Sequence, residues 1–394
     1  MRTLKFMMLG LLLSGFATVY AQDATTGATK IVVSGAGCFG AVYNADEDIK
    51  VNFNHYGFSP VFLWKLSDKL FFESEIEIQD GNMELEYGKI SYSLNKYMTF
   101  GCGRMLSPFG AYGERWEPMF VERFPNSPLR ADDEQLPDDT HLAWGAMMGL
   151  DVRGGIPLGS AKMNYALFIS NGPLLYKDEN GRPTGLIQYE NLLDENNTNK
   201  ELGGRIGILP FSNSSLEIGF SGKHGIAGSA SDSIMNLTDS SYSNYAKIGA
   251  TATAVDFNYV KSIPELSSVI TVRGQYTSLT VDKADYYLND STNYSFDNSQ
   301  QNYFAQFSIR PAMVKSKLFK NLEFLVRYGS LTAPKDAAWG AKDLNGAGGA
   351  VTRLDLGLCY WFSWRSGLRV AYEMTSRPDG TKTNELLAKF VTGF

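Results

Sequence analysis

The chain has 394 residues, a formal net charge of −6, three cysteines and three histidines. This acidic balance gives no support for nucleic-acid binding, which depends on basic surfaces. Cys38, Cys102 and Cys359 form no Cys-x-x-Cys pair, and their odd number argues against a disulfide framework. A hydrophobic content of 44% suits a soluble protein as well as a β-barrel, whereas 13% aromatic residues and 39 glycines favour an all-β chain.

The first residues have the features of a secretory signal peptide. Arg2 and Lys5 flank the start of an apolar segment that runs from Phe6 to Val19. That segment is shorter than the about twenty residues of a membrane-spanning helix, and no later apolar run approaches that length. We therefore expect cleavage after Ala21, so that residues 1–21 are the signal peptide and residues 22–394 the mature chain.

The mature chain is a series of segments in which apolar and polar residues alternate. In residues 70–78, Glu73, Glu75 and Glu77 alternate with apolar side chains, and residues 353–362 repeat the pattern with Arg and Asp on the polar face. A soluble sandwich would also alternate. Full charges at the middle of strands, continuing to the last residue, favour a transmembrane antiparallel β-barrel instead.

Counting these segments predicts sixteen strands, an even number as closed single-chain barrels require. The predicted spans are 31–44, 53–66, 70–79, 84–95, 97–106, 141–153, 161–171, 202–209, 215–224, 245–260, 267–281, 302–314, 322–332, 352–363, 367–376 and 384–394.

The connections between these strands alternate in length, as expected for short periplasmic turns and longer outer loops. The predicted turns are Ser67-Asp68, Asn95-Lys96 and residues 154–160, 210–214, 261–266, 315–321 and 363–366. The predicted loops include residues 107–140, 172–201, 225–244, 282–301 and 333–351. Hydrophobic alternation did not define these lengths, so they support the barrel independently.

Aromatic residues lie at the predicted periplasmic strand ends, where the edge of a bilayer would be. They are Trp64, Tyr97, Phe211, Phe319, Trp364 and Phe394. The last segment, residues 386–394, alternates to a terminal aromatic residue. This ending resembles the strand by which outer-membrane barrels are recognised by the barrel-assembly machinery, and Phe394 is the predicted assembly signal.

Three segments carry a resemblance to a known family. Residues 71–77 (FFESEIE), 84–92 (ELEYGKISY) and 103–110 (GRMLSPFG) are similar to consecutive segments of the phosphate-selective porin O/P family of Gram-negative outer membranes. The resemblance implies a sixteen-stranded, water-filled porin that assembles as a homotrimer, with its third outer loop folded inward. In the strand count, residues 107–140 are that third loop and thus the predicted constriction.

Charged residues are the candidate site. In the constriction loop they are Arg115, Glu117, Glu122, Arg123, Arg130, Asp132 and Asp133. The predicted pore-lining residues are Glu73, Glu75, Glu77, Glu84, Glu86, Arg104, Arg273, Arg310, Arg327, Arg353 and Arg369. Carboxylates on strands three and four would face arginines on strands eleven to fifteen and set up a transverse field. Alternatively, neighbours such as Arg353 and Glu373 simply pair.

The sign of the loop argues against a phosphate-specific pore. Residues 107–140 contain three arginines, no lysine and eight acidic residues. A net-acidic mouth repels multivalent anions, whereas phosphate channels line their constriction with basic residues.

We therefore predict a passive diffusion channel for small hydrophilic solutes or ions, with weak charge selectivity, in the Gram-negative outer membrane and in contact with its lipid. No cofactor or metal is expected. A phosphate-selective porin is one alternative. Alternatives of another class are a barrel enzyme, for which His141 beside Asp138 and Asp139 is the candidate, and a barrel for adhesion or assembly with a partner protein.

Overall fold

The computed structural model describes residues 30–45, 50–129, 145–177, 183–189, 195–229, 231, 233–289, 292–296, 299–333 and 349–394. The predicted signal peptide, His141 and the Arg130, Asp132 and Asp133 part of the constriction loop lie outside these residues. Within the described ranges, no helix is both long and apolar enough to cross a bilayer.

Sixteen antiparallel strands form a closed barrel, each paired with its neighbours in sequence, and the first strand pairs with the last. The strands are β1 Lys30–Asn44, β2 Val51–Lys65, β3 Leu70–Gln79, β4 Asn82–Asn95, β5 Met98–Leu106, β6 Ala146–Leu158, β7 Ala161–Ser170, β8 Glu201–Leu209, β9 Leu216–Ile226, β10 Gly249–Ile263, β11 Ser268–Val281, β12 Ser299–Arg310, β13 Leu322–Ala333, β14 Gly349–Trp361, β15 Ser366–Ser376 and β16 Lys382–Gly393. The predicted fold class and all sixteen strands are confirmed.

The strand bounds differ from the predicted ones at segments that contain glycine or proline. The predicted turn at residues 154–160 is wrong, because β6 continues to Leu158 and pairs there with β7; the turn is Gly159-Ser160. Strand β12 ends at Arg310 rather than at residue 314, because Pro311 follows and lacks the N–H that a ladder needs.

The two faces of the barrel follow the alternation in the sequence. On β14, Arg353 and Asp355 are buried inside the barrel, whereas Leu356 and Leu358 are 44% and 43% exposed on the outside. An apolar outer face with charged groups enclosed is the inverse of a soluble protein and suits a barrel surrounded by lipid.

One end of the barrel, the turn end, has connections of 2–11 residues. At the other, the loop end, five connections have 15 residues or more, and three are short, including the two-residue turn Asp80-Gly81. Three of the long loops carry a hairpin that the sequence pattern did not predict. These hairpins are Leu174–Lys177 with Pro183–Gln188, Ser233–Met235 with Tyr242–Asn244, and Ala284–Asn289 with Thr292–Phe296. At the turn end, residues 317–320 form a single helical turn.

The two ends of the described chain meet at the β1–β16 seam. Backbone hydrogen bonds join Phe394 to Gly35 in both directions, at 3.0 and 3.3 Å. The carbonyl oxygen of Phe394 also accepts from Ser34 Oγ and from Arg365 Nη1, each at 2.8 Å. The Phe394 ring stacks on Phe58, with ring centroids 5.5 Å apart. The last residue therefore fastens the closing strand pair.

Gly35 is the position at which this seam tolerates no side chain. Its φ is +154°, and an added Cβ would overlap the Ser59 carbonyl oxygen and lie 2.9 Å from the Phe394 ring. We expect Gly35→Ala to destabilise the folded barrel by about 1–3 kcal/mol through this overlap. Urea unfolding in lipid vesicles and heat-modifiability on gels measure the effect.

Gly159→Ala is the matched control, because Gly159 also has a positive φ of +66° but has nothing within 4 Å of an added Cβ. Equal stability losses in the two variants would contradict a steric role for Gly35 at the seam.

Candidate functional site

The described part of the third loop, residues 107–129, leaves β5 and enters the barrel instead of rising above it. Gly110, at φ +68°, turns the chain inward. Its backbone N–H donates to Ser221 Oγ on β9 at 3.0 Å. The N–H groups of Ala111 and Tyr112 both donate to Gln275 Oε1 on β11, at 2.7 and 3.0 Å. The loop thereby crosses from β5 to the far wall within a few residues.

A single π-helical turn, Tyr112–Trp116, presses the loop against that wall. The rings of Tyr112 and Trp116 both pack edge-on against Phe304 of β12, at centroid distances of 5.7 and 6.2 Å. Ion pairs fix the polar side of the turn. Glu114 pairs with Arg153 on β6, and Arg115 pairs with Glu217 on β9, both at 2.5 Å.

Glu122 anchors the returning half of the loop. It is fully buried and accepts from Arg273 Nη2 on β11 at 2.8 Å. Burial alone would raise the pKa of Glu122, but the guanidinium groups of Arg273 and Arg327 and the N–H groups of Phe124 and Arg123 hold it below its ordinary value. The carboxylate therefore remains charged inside the barrel.

The next two residues tie the loop to β13 and its neighbours. Arg123 Nη1 pairs with Glu323 at 2.7 Å and donates to Ser308 at 2.8 Å. Phe124 is buried in a cluster with the inward residues Leu325, Cys359, Trp361 and Ala371. Arg123 thus binds the wall by a salt bridge, and the adjacent Phe124 binds it by apolar packing.

Two wall arginines hold the loop by its backbone. Arg327 Nη2 donates to the carbonyl oxygens of Asn126 and Ser127 at 3.2 and 2.9 Å, while its Nε pairs with Asp355 at 2.7 Å. Arg353 donates to the Ser127 carbonyl as well and pairs with Glu373 at 3.4 Å. The predicted alternative that Arg353 and Glu373 pair is therefore confirmed.

The other two predicted arginines of this wall also point inward. Arg369 is buried opposite Cys359 in the β14–β15 register. Arg310 lies at the turn end, where its Nε donates to the Lys320 carbonyl at 2.9 Å. All five arginines of β11–β15 are on the lumen side, but four of them, all except Arg310, are buried.

The predicted carboxylates lie on the opposite wall. A bulge in β4 at Glu86 adds this carboxylate to the inward row of β3 and β4. Glu77, Glu84 and Glu86 place one oxygen each within 4.8 Å of one another. Glu117 of the third loop is close enough to repel Glu75 and Glu86. Oxygen clusters of this kind attract hard cations.

Glu73 and Arg104 are placed differently from one another. Glu73 is half-buried and lies in register with Lys89, which pairs with Asp151 at 2.8 Å inside the barrel. Arg104 is in register with Gly88 and Met148 and directly follows Gly103, whose φ is +126°. That Arg104 lines the pore stays a prediction. Arg104 is buried, and its Nε donates to the Glu86 carbonyl at 3.0 Å.

The predicted transverse field requires correction. Carboxylates and arginines do lie on opposite walls, but the described part of the third loop covers Arg273, Arg327 and Arg353 and supplies or completes their partners. The positive charge of these three arginines is therefore largely compensated by their partners, so that little of it acts on the open lumen.

Comparisons with known proteins agree with this architecture. No protein-family model matches the chain, and no curated protein matches its sequence. Similar solved structures are OmpF of Salmonella typhi in complex with daunomycin (12% identity, TM-score 0.56, covering 95% of this chain and 100% of that chain) and an anion-selective porin from Comamonas acidovorans (10%, 0.52, 93% and 100%). A trimer form of the outer membrane protein OmpT of Vibrio cholerae is also similar (11%, 0.50, 93% and 100%). The fold is that of a porin-type barrel.

Sequence reasoning missed the wall residues that receive the loop, because their partners are far away in sequence. They include Arg153, Glu217, Gln275, Phe304, Glu323 and Asp355. The available signal was their position on the polar face of a strand.

His224, one of the three histidines, lies on the outer-facing row of β9 and β10. Its ring hydrogen-bonds to the Thr251 hydroxyl at 2.9 Å, and this contact contains no carboxylate that would make an acid–histidine pair.

Arg327 is the residue on which loop docking most depends. Replacing it with methionine keeps much of the volume. It removes the Nε partner of Asp355 and the guanidinium donor of the Asn126 carbonyl, while the Ser127 carbonyl keeps Arg353 as a donor. We expect Arg327→Met to reduce the free energy of unfolding by about 3–5 kcal/mol, as for other broken buried pairs. Urea unfolding in vesicles measures it.

Arg310→Met is the matched control. Arg310 is on the same wall, but its described contacts are with the Lys320 carbonyl at the turn end and the Trp361 ring, not with the third loop. Adding Asp355→Leu to Arg327→Met should recover part of the loss. No difference between Arg327→Met and Arg310→Met would contradict the docking role.

Proposed function

We propose that this chain is a porin of the outer membrane that lets small hydrophilic solutes or ions diffuse through its lumen. One observation carries the proposal: residues 107–129 are bound inside a closed barrel, along the wall from β9 to β15, and so narrow the lumen without crossing the barrel wall. A loop held by buried ion pairs at mid-barrel is a constriction.

The proposal includes the surroundings of the barrel. The apolar outer face would contact outer-membrane lipid, residues 1–21 would direct export, and the Phe394 ending would be recognised by the barrel-assembly machinery. A homotrimer is supported by the similarity to the trimer form of Vibrio cholerae OmpT. The aromatic residues at the turn end, such as Trp364 at 74% exposure, would mark the membrane edge.

We further propose that the channel prefers cations. The side chains of Arg273, Arg327 and Arg353 are at most 7% exposed behind the loop. Glu84 is exposed, and Glu75 and Glu86 are half-buried on the opposite wall. A permeating ion therefore meets more carboxylate than guanidinium, which raises the local cation concentration.

The phosphate-selective alternative is supported by the resemblance of residues 71–110 to the O/P family. It would require arginines that contact the solute. Arg115 and Arg153 keep 36% and 30% of their side chains exposed, but each is paired with a carboxylate. The described residues thus favour the cation-preferring channel over a ladder of basic groups.

Planar-bilayer recording tests the channel itself. Purified, folded protein should give discrete conductance steps. Replacing residues 111–127 with a short Gly-Ser linker should give larger steps, because the constriction is removed. As a control, shortening the hairpin 233–244 in another loop should leave the step size unchanged. Absence of steps from folded wild-type protein would refute the channel.

Reversal potentials in a salt gradient test the selectivity. The wild-type protein should favour potassium over chloride, and Glu75→Gln/Glu84→Gln/Glu86→Gln should reduce that preference. Asp68→Asn, in an exposed turn beside Lys65, is the control that should leave it unchanged. Anion preference in the wild-type protein would overturn this proposal and favour the phosphate alternative.

A further inference from the structure

The inner face of the barrel near the loop end is apolar on one side, which is unexpected for a water-filled channel. Along β10, the inward residues Ala250, Ala252 and Ala254 are 0–2% exposed. Leu279 of β11 and Leu331 of β13 continue this face and are equally buried. Something inside the barrel must cover these side chains, since a wall facing water would leave them exposed.

The covering element is the hairpin of Leu174–Lys177 and Pro183–Gln188, here called the lumenal hairpin. Leu175 and Ile187 are 5% and 1% exposed and belong to one apolar cluster with the β10 alanines. The Leu175 N–H donates to the Ala227 carbonyl at 3.3 Å, just beyond the end of β9. Phe109 and Leu129 of the third loop belong to the same cluster. The two loops therefore form one continuous packed body.

A buried ion pair lies below the lumenal hairpin. Lys223 of β9 pairs with Glu201 of β8 at 3.2 Å, and their side chains are 3% and 1% exposed. Tyr189, one residue after the hairpin, lies over Lys223 with Nζ 3.6 Å from its ring centroid, and Phe109 lies on the same ammonium at 5.4 Å. Both loops thus contact one cation on the wall, which fixes their positions relative to each other.

We infer that the lumenal hairpin is a second constriction, at the loop end of the lumen, that sets the largest solute able to enter. The inference rests on the proposed channel function. The small alanines of β10 supply the space that the hairpin occupies, because bulkier residues would displace it. The third loop narrows mid-barrel by ion pairs, whereas the lumenal hairpin fills the mouth by apolar packing. The lumenal hairpin therefore limits solute size at the mouth, whereas the carboxylates of β3 and β4 set the charge preference farther down the lumen.

The test uses variants that should displace the lumenal hairpin from the wall and that leave every barrel strand unchanged. Leu175→Asp/Ile187→Asp places two carboxylates in the apolar cluster, where ionised groups are strongly disfavoured. We expect larger conductance steps and entry of larger polyethylene glycols added from the loop side, with the potassium preference unchanged. A second variant, in which residues 174–188 are replaced by a Gly-Ser linker, should behave in the same way.

Met235→Asp is the matched control, because Met235 is on another loop hairpin and is 40% exposed. It should leave polymer exclusion unchanged. If the wild-type protein conducts but both hairpin variants exclude the same polymers as wild type, the inference is wrong while the channel stands. If the wild-type protein does not conduct, the proposed function fails instead. A changed potassium preference in both hairpin variants would overturn the separation of size and charge control.

Discussion

The arrangement of the lumen depends on the cost of enclosing arginines in a barrel. Arg273, Arg327 and Arg353 face inward from neighbouring strands, and a buried guanidinium that lacks acceptors is strongly destabilising. Glu122 and the carbonyls of Asn126 and Ser127 supply acceptors that the strands alone do not provide. The third loop is thus required by the wall against which it lies, and the constriction follows from that requirement.

Ion pairing and apolar packing stabilise two different regions of the lumen. Around Glu122 the contacts are directional and charged, so they specify the path of the loop. Around Ala252 and Ile187 they are apolar and non-directional, so they fill volume. The opposite wall of β3 and β4 is left to line the open passage, with its carboxylates gathered by a single bulge at Glu86.

The barrel could be predicted from sequence because its signal is local. Alternation along residues 353–362 depends only on adjacent side chains and the pleat of a strand. The long and short connections support the barrel independently. The interior could not be predicted in the same way. Glu122 meets Arg273 across 151 positions of sequence, and no local pattern encodes that contact. Arg104 shows the same limit, because its bond to the Glu86 carbonyl forms at the β4 bulge, which alternation does not reveal.

The partners of the third loop have a consequence for the order of assembly. The loop follows the fifth strand, but apart from Arg153 on the sixth, the named groups that receive it come from the ninth to the fifteenth. Its docking therefore depends on contacts of very high sequence separation. A nascent barrel that lacks its last strands would hold this loop without a binding site. The Phe394 seam then does more than close a sheet: it completes the chamber in which the loop becomes ordered. Interior and wall are expected to mature together, late in folding.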